Sequence, residues 1–366
     1  MAHTVRLMPR QFAAIRRRLL SWYRAKRRAL PWRKSRDPYR IWVAEIMLQQ
    51  TRIAAVIPYY ERFLRRFPTV ESLACARASE VLKHWAGLGY YSRARNLHRA
   101  AREIVRNHDG KFPKALDAAL ALPGIGRYTA AAILSIAFDA PLAALDGNVV
   151  RVLTRLLAFR GDLSGVAQKH KLAVTSQQLL PSHSPGDWNQ AMMELGETVC
   201  TPRAPHCEAC PLANLCRAKA LNLAEKIPSP RRKPAFVPMR IAAAILLDPQ
   251  GRTLLTKSPG RHDAVLFSRM WQFPATEVAD GLNPASTLAR NLRATLGIAS
   301  NHFAALPPAS HAVTFHKLTL LPYLVRVERI PHLPGCRTLP LSKLSDLAVS
   351  SATRKIAHAA LKLAPR

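Results

Sequence analysis

Four cysteines, Cys200, Cys207, Cys210 and Cys216, fall within 17 residues at the spacing C-x6-C-x2-C-x5-C. Thiolate sets of this kind hold zinc or an iron–sulfur cluster. Zinc sites commonly use two close C-x2-C pairs, and only Cys207 and Cys210 form one here. The unequal gaps therefore suit a [4Fe–4S] cube better, with zinc still open on spacing alone. Cys75 and Cys336 stand apart, and in a 366-residue chain that shows no secretory signal a disulfide framework is disfavoured.

Two carboxylates have settings that suit acid–base work. Glu45 is the one acid within Ile41–Thr51, an otherwise apolar helical stretch. A surface-facing glutamate is the ordinary reading, but Trp42, Ile46 and Leu48 argue for partial burial, which raises a carboxyl pKa toward neutrality. Gln49, Gln50 and Thr51 close the stretch with groups suited to base edges. Asp146, in Leu145-Asp-Gly-Asn-Val149, precedes a helix and reads equally as its N-cap or as a carboxylate beside a bound nucleotide. About twenty residues earlier, Leu122-Pro-Gly-Ile-Gly-Arg-Tyr-Thr129 puts Gly124 and Gly126 before a small-residue helix. That is the pattern of a backbone loop that approaches phosphate, a helix–hairpin–helix clamp. Gly87-Leu-Gly-Tyr-Tyr91 offers aromatics on a flexible turn, either a base-stacking wedge or a plain helix cap.

The elements that must position these groups follow from periodicity. Three- and four-residue apolar spacing predicts helices through 41–64, 73–86, 95–106, 128–137, 147–158 and 188–199. Phe12, Ile15, Leu19, Leu20 and Trp22/Tyr23 predict an amphipathic basic helix at the N-terminus, rather than a transit peptide. The prolines of 226–238 mark a linker. Beyond it, Ile241–Leu247, the turn Asp248-Pro-Gln-Gly251 and Arg252–Lys257 read as a hairpin, 284–297 as a helix, and Val313–Val327 as strands. Two domains are expected: an all-α one over 1–225, and an α+β one over 239–366.

Lys+Arg outnumber Asp+Glu 55 to 22, a formal charge of +33. Such an excess points to a polyanion, with nucleic acid ahead of an anionic membrane surface or an acidic cytoplasm. No apolar run is long enough to span a bilayer. A cytoplasmic, nucleoid-associated protein is expected.

The ordered motifs LPWR (30–33), DPYRIWVAEIMLQQT (37–51), GLGYYSRARNL (87–97), LPGIGRYTAAAIL (122–134), LDGNVVRVL (145–153), WNQAMMELG (188–196) and the four-cysteine loop resemble the MutY adenine DNA glycosylase family. The resemblance covers residues 10 to about 225. It implies a helix–hairpin–helix glycosylase fold and one [4Fe–4S] cluster on Cys200, Cys207, Cys210 and Cys216. It further implies a monomer that acts on duplex DNA and removes adenine mispaired with 8-oxoguanine or guanine, after flipping the base. By the same resemblance Glu45 protonates adenine N7, Asp146 stabilises or captures the oxocarbenium-like sugar, and Tyr128 and Asn148 orient the reacting groups. Arg33, Leu48, Gln50, Thr51, Leu88, Tyr90, Gly124, Gly126 and Gln190 are expected against DNA or base. Bifunctional endonuclease III relatives carry a Schiff-base lysine where this chain has Tyr128, so strand cleavage is expected to be weak or absent.

The resemblance also implies a Nudix-like C-terminal domain. No Asp or Glu occurs from Gly281 to Val327, so a divalent-metal pyrophosphatase site is not expected, and lesion recognition is. The family's Phe-Ser-His reading segment aligns with Val313, Thr314 and Phe315. Of the three, Thr314 keeps a hydroxyl, and the histidine is displaced to His316. Two rivals remain: a catalytically silent iron–sulfur DNA-binding protein, and a glycosylase for another base.

Overall fold

Helices in the first 225 residues form where the apolar period is 3.6 and stop where the backbone leaves that conformation. They are α1 (Pro9–Lys26), α2 (Pro38–Leu48), α3 (Ile53–Arg66), α4 (Val70–Cys75), α5 (Ala78–Trp85), α6 (Ser92–Asn107), α7 (Leu116–Ala121), α8 (Arg127–Phe138), α9 (Gly147–Leu156), α10 (Val166–Leu179), α11 (Pro185–Thr198) and α12 (Arg217–Ala220). The computed structural model describes residues 9–161, 163, 165–229, 236–257, 270–313 and 316–362. They form two compact units: residues 1–76 with 92–232, and 77–91 with 233–366. The 77–91 segment, expected in the helical domain, thus groups with the C-terminal unit, where the Tyr91 hydroxyl donates to the Val349 carbonyl (3.4 Å).

Within the helical unit, the single helix expected over 41–64 is two. The Asp37 side chain accepts the Tyr39 N–H to start α2, and the left-handed residue Gln50 (φ 56°) ends it. The helix expected over 73–86 is likewise broken, at the extended residues Ala76 and Arg77. The basic N-terminal helix is confirmed. Ile15, Leu19 and Tyr23 of α1 are fully buried against Val149, Val152, Leu153 and Leu156 of α9 and Trp188, Ala191, Met192 and Leu195 of α11. Gly196 lets α11 approach α9, because a Cβ there would meet Asn148 Cβ at 2.7 Å. That close contact fixes where Asn148 sits.

The C-terminal unit contains β1 (Val237–Leu247), β2 (Arg252–Lys257), β3 (Trp271–Gln272), β4 (Ala275–Glu277), α13 (Pro284–Leu296), β5 (Ala304–Ala305), β6 (Ala309–Val313), β7 (His316–Arg326), β8 (Cys336–Pro340) and α14 (Ser351–Leu361). One sheet has the order β4-β1-β7-β5 with β6 also on β7; the other is β3-β2-β8. Strand β1 runs parallel to β7, from Val237 opposite His316 to Leu247 opposite Arg326. Its alternation places Ala242, Ala244 and Leu246 with Leu288 and Leu292 of α13. Ala243, Ile245 and Leu247 face Ala352, Ile356 and Ala360 of α14 instead. Both faces are covered, which explains the continuous apolar run, and the result is an α/β/α layering.

Two expectations need correction. The turn at Asp248–Gly251 forms, with the Asp248 carboxylate accepting from the Gln250 and Arg252 amides (3.1 and 2.8 Å). The strands around it do not pair as a hairpin: β1 is taken on both sides by β4 and β7, and β2 joins the second sheet. The linker also ends earlier than Pro238, which lies in β1. The proline is tolerated because β4 pairs only with Ile241–Ala243, leaving that side of β1 open at 238. Thr314 and Phe315 lie outside the described residues.

Candidate active site and cluster loop

A cavity of about 730 Å³ opens in the helical unit, and several separate elements bring their residues to it. Helix α2 contributes Glu45 and Leu48, and the turn after it Gln49, Gln50 and Thr51. Helix α8 supplies Tyr128, the N-terminus of α9 supplies Asp146 and Asn148, and α11 supplies Gln190, Met193, Glu194 and Glu197. Arg28, Trp32 and Arg33, between α1 and α2, close the remaining side.

Glu45 is buried (6% exposed), and the Tyr128 hydroxyl donates to its Oε2 at 2.8 Å. Burial pushes its pKa up to about 7, a rise that the charge of Asp146 reinforces. The hydrogen bond from Tyr128 and the charge of Arg33 oppose it. Tyr128 itself is driven well above its ordinary value, first by burial and then by Glu45 and Asp146, so its hydroxyl stays a donor. Met193 Sδ stands 3.6 Å from the same oxygen.

Asp146 is the N-cap of α9 and also lines the cavity. Its Oδ1 accepts the Val149 N–H (2.7 Å) as N-cap of α9, and its Oδ2 accepts from Asn148 Nδ2 (3.2 Å) while facing the cavity. Burial raises its pKa; the amide bonds from Val149 and Asn148 and the charge of Arg151 pull the other way. A helix N-terminus favours the ionised form at this position. Asn148 is itself held, its Oδ1 accepting from Arg151 Nη2 (2.7 Å). The cavity therefore pairs a carboxyl whose pKa stands at about 7 with a second, also raised by burial, whose oxygens accept from the Val149 amide and Asn148, a pairing suited to two-carboxylate glycosyl chemistry.

The two glycines of the 122–129 loop differ in their surroundings. Gly124 has φ +81° and a Cβ there would strike Asn96, whereas Gly126, the N-cap of α8, faces open space that a DNA backbone can enter. In the second unit Tyr90 is exposed (45%) at φ 47°, whereas Leu88 is buried (8%). Among the expected DNA contacts, Arg33, Leu48, Gln50, Thr51 and Gln190 line the cavity. Sequence reasoning missed Arg28, Arg151, Glu194 and Glu197. Only Glu194 left a signal, a lone acid on the apolar face of WNQAMMELG like Glu45 in its own stretch. Arg28 is one of many arginines in a basic run.

The cluster loop follows α11 directly. Its four cysteines form no disulfide, and all are partly buried. Burial raises the Cys207, Cys210 and Cys216 thiols, Cys210 to about 11, and the neighbouring thiols act electrostatically on it. Among the described residues no three ligand groups stand at metal-binding spacing. What suits the loop to a cluster is its donor set, four unpaired soft thiols, and the cation beside it. Arg155 Nη1 donates to Cys200 Sγ (3.3 Å) and to the Thr201 carbonyl (2.7 Å). Arg151 Nε donates to the Cys200 carbonyl (2.7 Å), so this one α9 side chain links the loop to Asn148.

Comparison with known proteins agrees with this geometry. Residues 43–180 match the HhH-GPD superfamily of base excision DNA repair proteins, and residues 200–216 match the iron–sulfur binding domain of endonuclease III. The adenine DNA glycosylase of Rattus norvegicus is 36% identical, the match covering 94% of this chain and 77% of that protein. That of Homo sapiens is 34% identical, covering 94% and 74%. Among solved structures, a thermostable thymine-DNA glycosylase superposes with a TM-score of 0.54 at 31% identity, covering 58% of this chain and 98% of that one. Endonuclease III trapped on DNA gives 0.50 at 25% identity, covering 60% and 100%. The iron–sulfur domain implies a single [4Fe–4S] cluster as cofactor. With its buried acid, its helix-capping aspartate and a match that spans nearly its whole length, the chain belongs to the adenine DNA glycosylases of base excision repair.

Proposed function

We propose that this enzyme excises adenine from mispairs with 8-oxoguanine or guanine in duplex DNA, acting as a monomer in the nucleoid, with Glu45 and Asp146 carrying the chemistry. The observation that carries the reading is the Tyr128–Glu45 hydrogen bond (2.8 Å) in the same cavity as the N-capping Asp146. A flipped adenine enters the cavity, and Glu45 gives its proton to N7. The C1′–N9 bond then breaks with its electron pair leaving on the base, and positive charge develops at C1′ and the ring oxygen. The Asp146 carboxylate stabilises that cation or bonds to it, until water adds at C1′ and loses a proton. Adenine and an abasic site are the products.

Asn148, held by Arg151, orients Asp146 (3.2 Å). Arg33, Leu48, Gln50, Thr51 and Gln190 hold the base, Gly124 and Gly126 admit the DNA backbone, and Tyr90 fills the gap that the flipped base leaves. With Tyr128 in place of an amine, no Schiff base forms and strand cleavage is negligible. When bound, the [4Fe–4S] cluster, held by Cys200, Cys207, Cys210 and Cys216, holds the loop in shape for DNA. A broad absorption band near ~400 nm in purified protein distinguishes the cluster from colourless zinc.

Single-turnover excision from duplexes carrying adenine opposite 8-oxoguanine, guanine or thymine tests the specificity. Fast release opposite 8-oxoguanine and guanine and none opposite thymine is expected. Equal release from all three sinks the mispair reading.

A further inference from the structure

Glu194 on α11 is as deeply buried as any charged group in the helical unit's cavity wall, its side chain 1% exposed, and it is fully bonded. Its Oε1 accepts from the Arg28 backbone N–H (3.1 Å) and Nε (2.8 Å). Its Oε2 accepts from Nη2 of Arg28 and Nη2 of Arg33, both at 2.8 Å. Arg33 completes the knot by donating from Nη1 to the Arg28 carbonyl (3.1 Å). Both terminal nitrogens of Arg33 are thus turned toward Glu194 and Arg28, in a cavity that Glu45 also lines.

We propose that Glu194 is a positioning residue that holds Arg33 away from Glu45, so that Glu45 keeps the proton it gives to adenine. The proposal rests on the assignment of Glu45 as the acid. A guanidinium released from Glu194 would sit on a flexible stem next to a second buried carboxylate, and an ion pair there would favour ionised Glu45. Other groups face Glu45 from the elements around α2. Tyr128 comes from α8, Asp146 from the N-cap of α9, and Arg52, before α3, lines the cavity; Arg93 on α6 donates to the Ile46, Met47 and Gln49 carbonyls. Glu194 holds two cations that line this cavity, Arg28 and Arg33, and of the two it is Arg33 whose charge acts on Glu45. Its charge already opposes the rise of the Glu45 pKa from its present position, so closer approach acts in the same direction and more strongly.

The test is the pH dependence of single-turnover adenine excision by cluster-loaded, full-length enzyme, comparing wild type, Glu194→Gln, Glu194→Gln/Arg33→Gln and Glu45→Gln. Wild-type excision falls with rising pH through a midpoint near 7, where Glu45 loses its proton. In Glu194→Gln the midpoint should move down by about one unit, so that excision drops about tenfold at pH 8 but less than about twofold at pH 5.5. The double variant should return the midpoint to its wild-type position or above, whatever its absolute rate. A loss equal at every pH, or a midpoint that stays put, overturns the proposal and leaves Glu194 with a structural role only. If Glu194→Gln does not fold, Glu194→Asp, which keeps the charge but shortens its reach, is measured instead. The same downward direction is expected, and an unmoved midpoint is fatal. Glu45→Gln separates the two claims: wild-type excision in that variant removes the acid assignment itself, whereas lost excision with an unmoved Glu194→Gln midpoint removes only the positioning role.

Discussion

Two walls of one cavity each bury a single glutamate on an apolar helical face, and the two carboxyls end in opposite states. Glu45, on α2, has one neutral donor, Tyr128, and its pKa stands at about 7. Glu194, on α11, is buried too but meets two guanidiniums and a backbone amide, and its pKa is held down at about 2. Both carboxyls are buried, and the charge of the partners sets the opposite directions. The lone acid in an apolar run is therefore a signal of burial only, and its role depends on what the other elements bring to it.

The largest test of that contrast is chemical. Glu45→Gln should lower adenine excision by on the order of 10³-fold while leaving DNA affinity within a few-fold, measured by single-turnover kinetics and by binding to duplex with an uncleavable adenine analogue. Glu194→Ala should act on stability instead. It leaves two arginines without their buried partner, and urea unfolding should show a loss of about 3–5 kcal/mol at neutral pH. Because the folded pKa of Glu194 lies below its unfolded value, this stabilisation is complete above about pH 4.5 and fades as pH falls toward 2.

Glu45 has the opposite sign. Its raised pKa makes the folded state bind a proton more tightly than the unfolded chain does, so wild-type stability declines as pH rises from about 4.5 to 7. Glu45→Gln, which does not titrate, should gain up to about 3 kcal/mol relative to wild type at pH 8 and little at pH 4. Equal stability at both pH values would mean that Glu45 is better solvated than the structure shows. The smallest effect belongs to Tyr128→Phe. Removing the hydroxyl takes away a bond that favours ionised Glu45, so the pH midpoint of excision should move upward, by less than about one unit. A downward shift would show that Tyr128 favours the protonated acid.

Much of the site was legible in the chain. Glu45, Asp146 and the four cysteines stand out because each is a rare residue type in a setting that gives it few structural uses. Asp146 shows the limit of that reasoning: an N-cap and a carboxylate beside a nucleotide stand as alternatives in the sequence, yet the capping carboxylate also lines the cavity, so the cap does not exclude the second use. Leu88 shows another, since its neighbours in sequence do not reveal that it is packed inside. Helix breaks at Gln50 and at Ala76–Arg77 were missed because apolar spacing continues across them. The hairpin after Asp248 failed for a different reason. Turn chemistry is local and was read correctly, but a strand's partners are chosen by the rest of the sheet.

Residue type and order alone determined the family, the helical and α+β halves, the four-cysteine loop and the two candidate carboxyls, because those properties reside in short motifs. Tertiary structure decided which acid holds its proton. That depends on arginines from the segment between α1 and α2 meeting a glutamate about 160 residues later, at 2.8 Å, while a tyrosine from α8 meets Glu45 at the same distance. Electrostatic energy is set by separation in space and by solvent exclusion, neither of which is a property of neighbours along the chain.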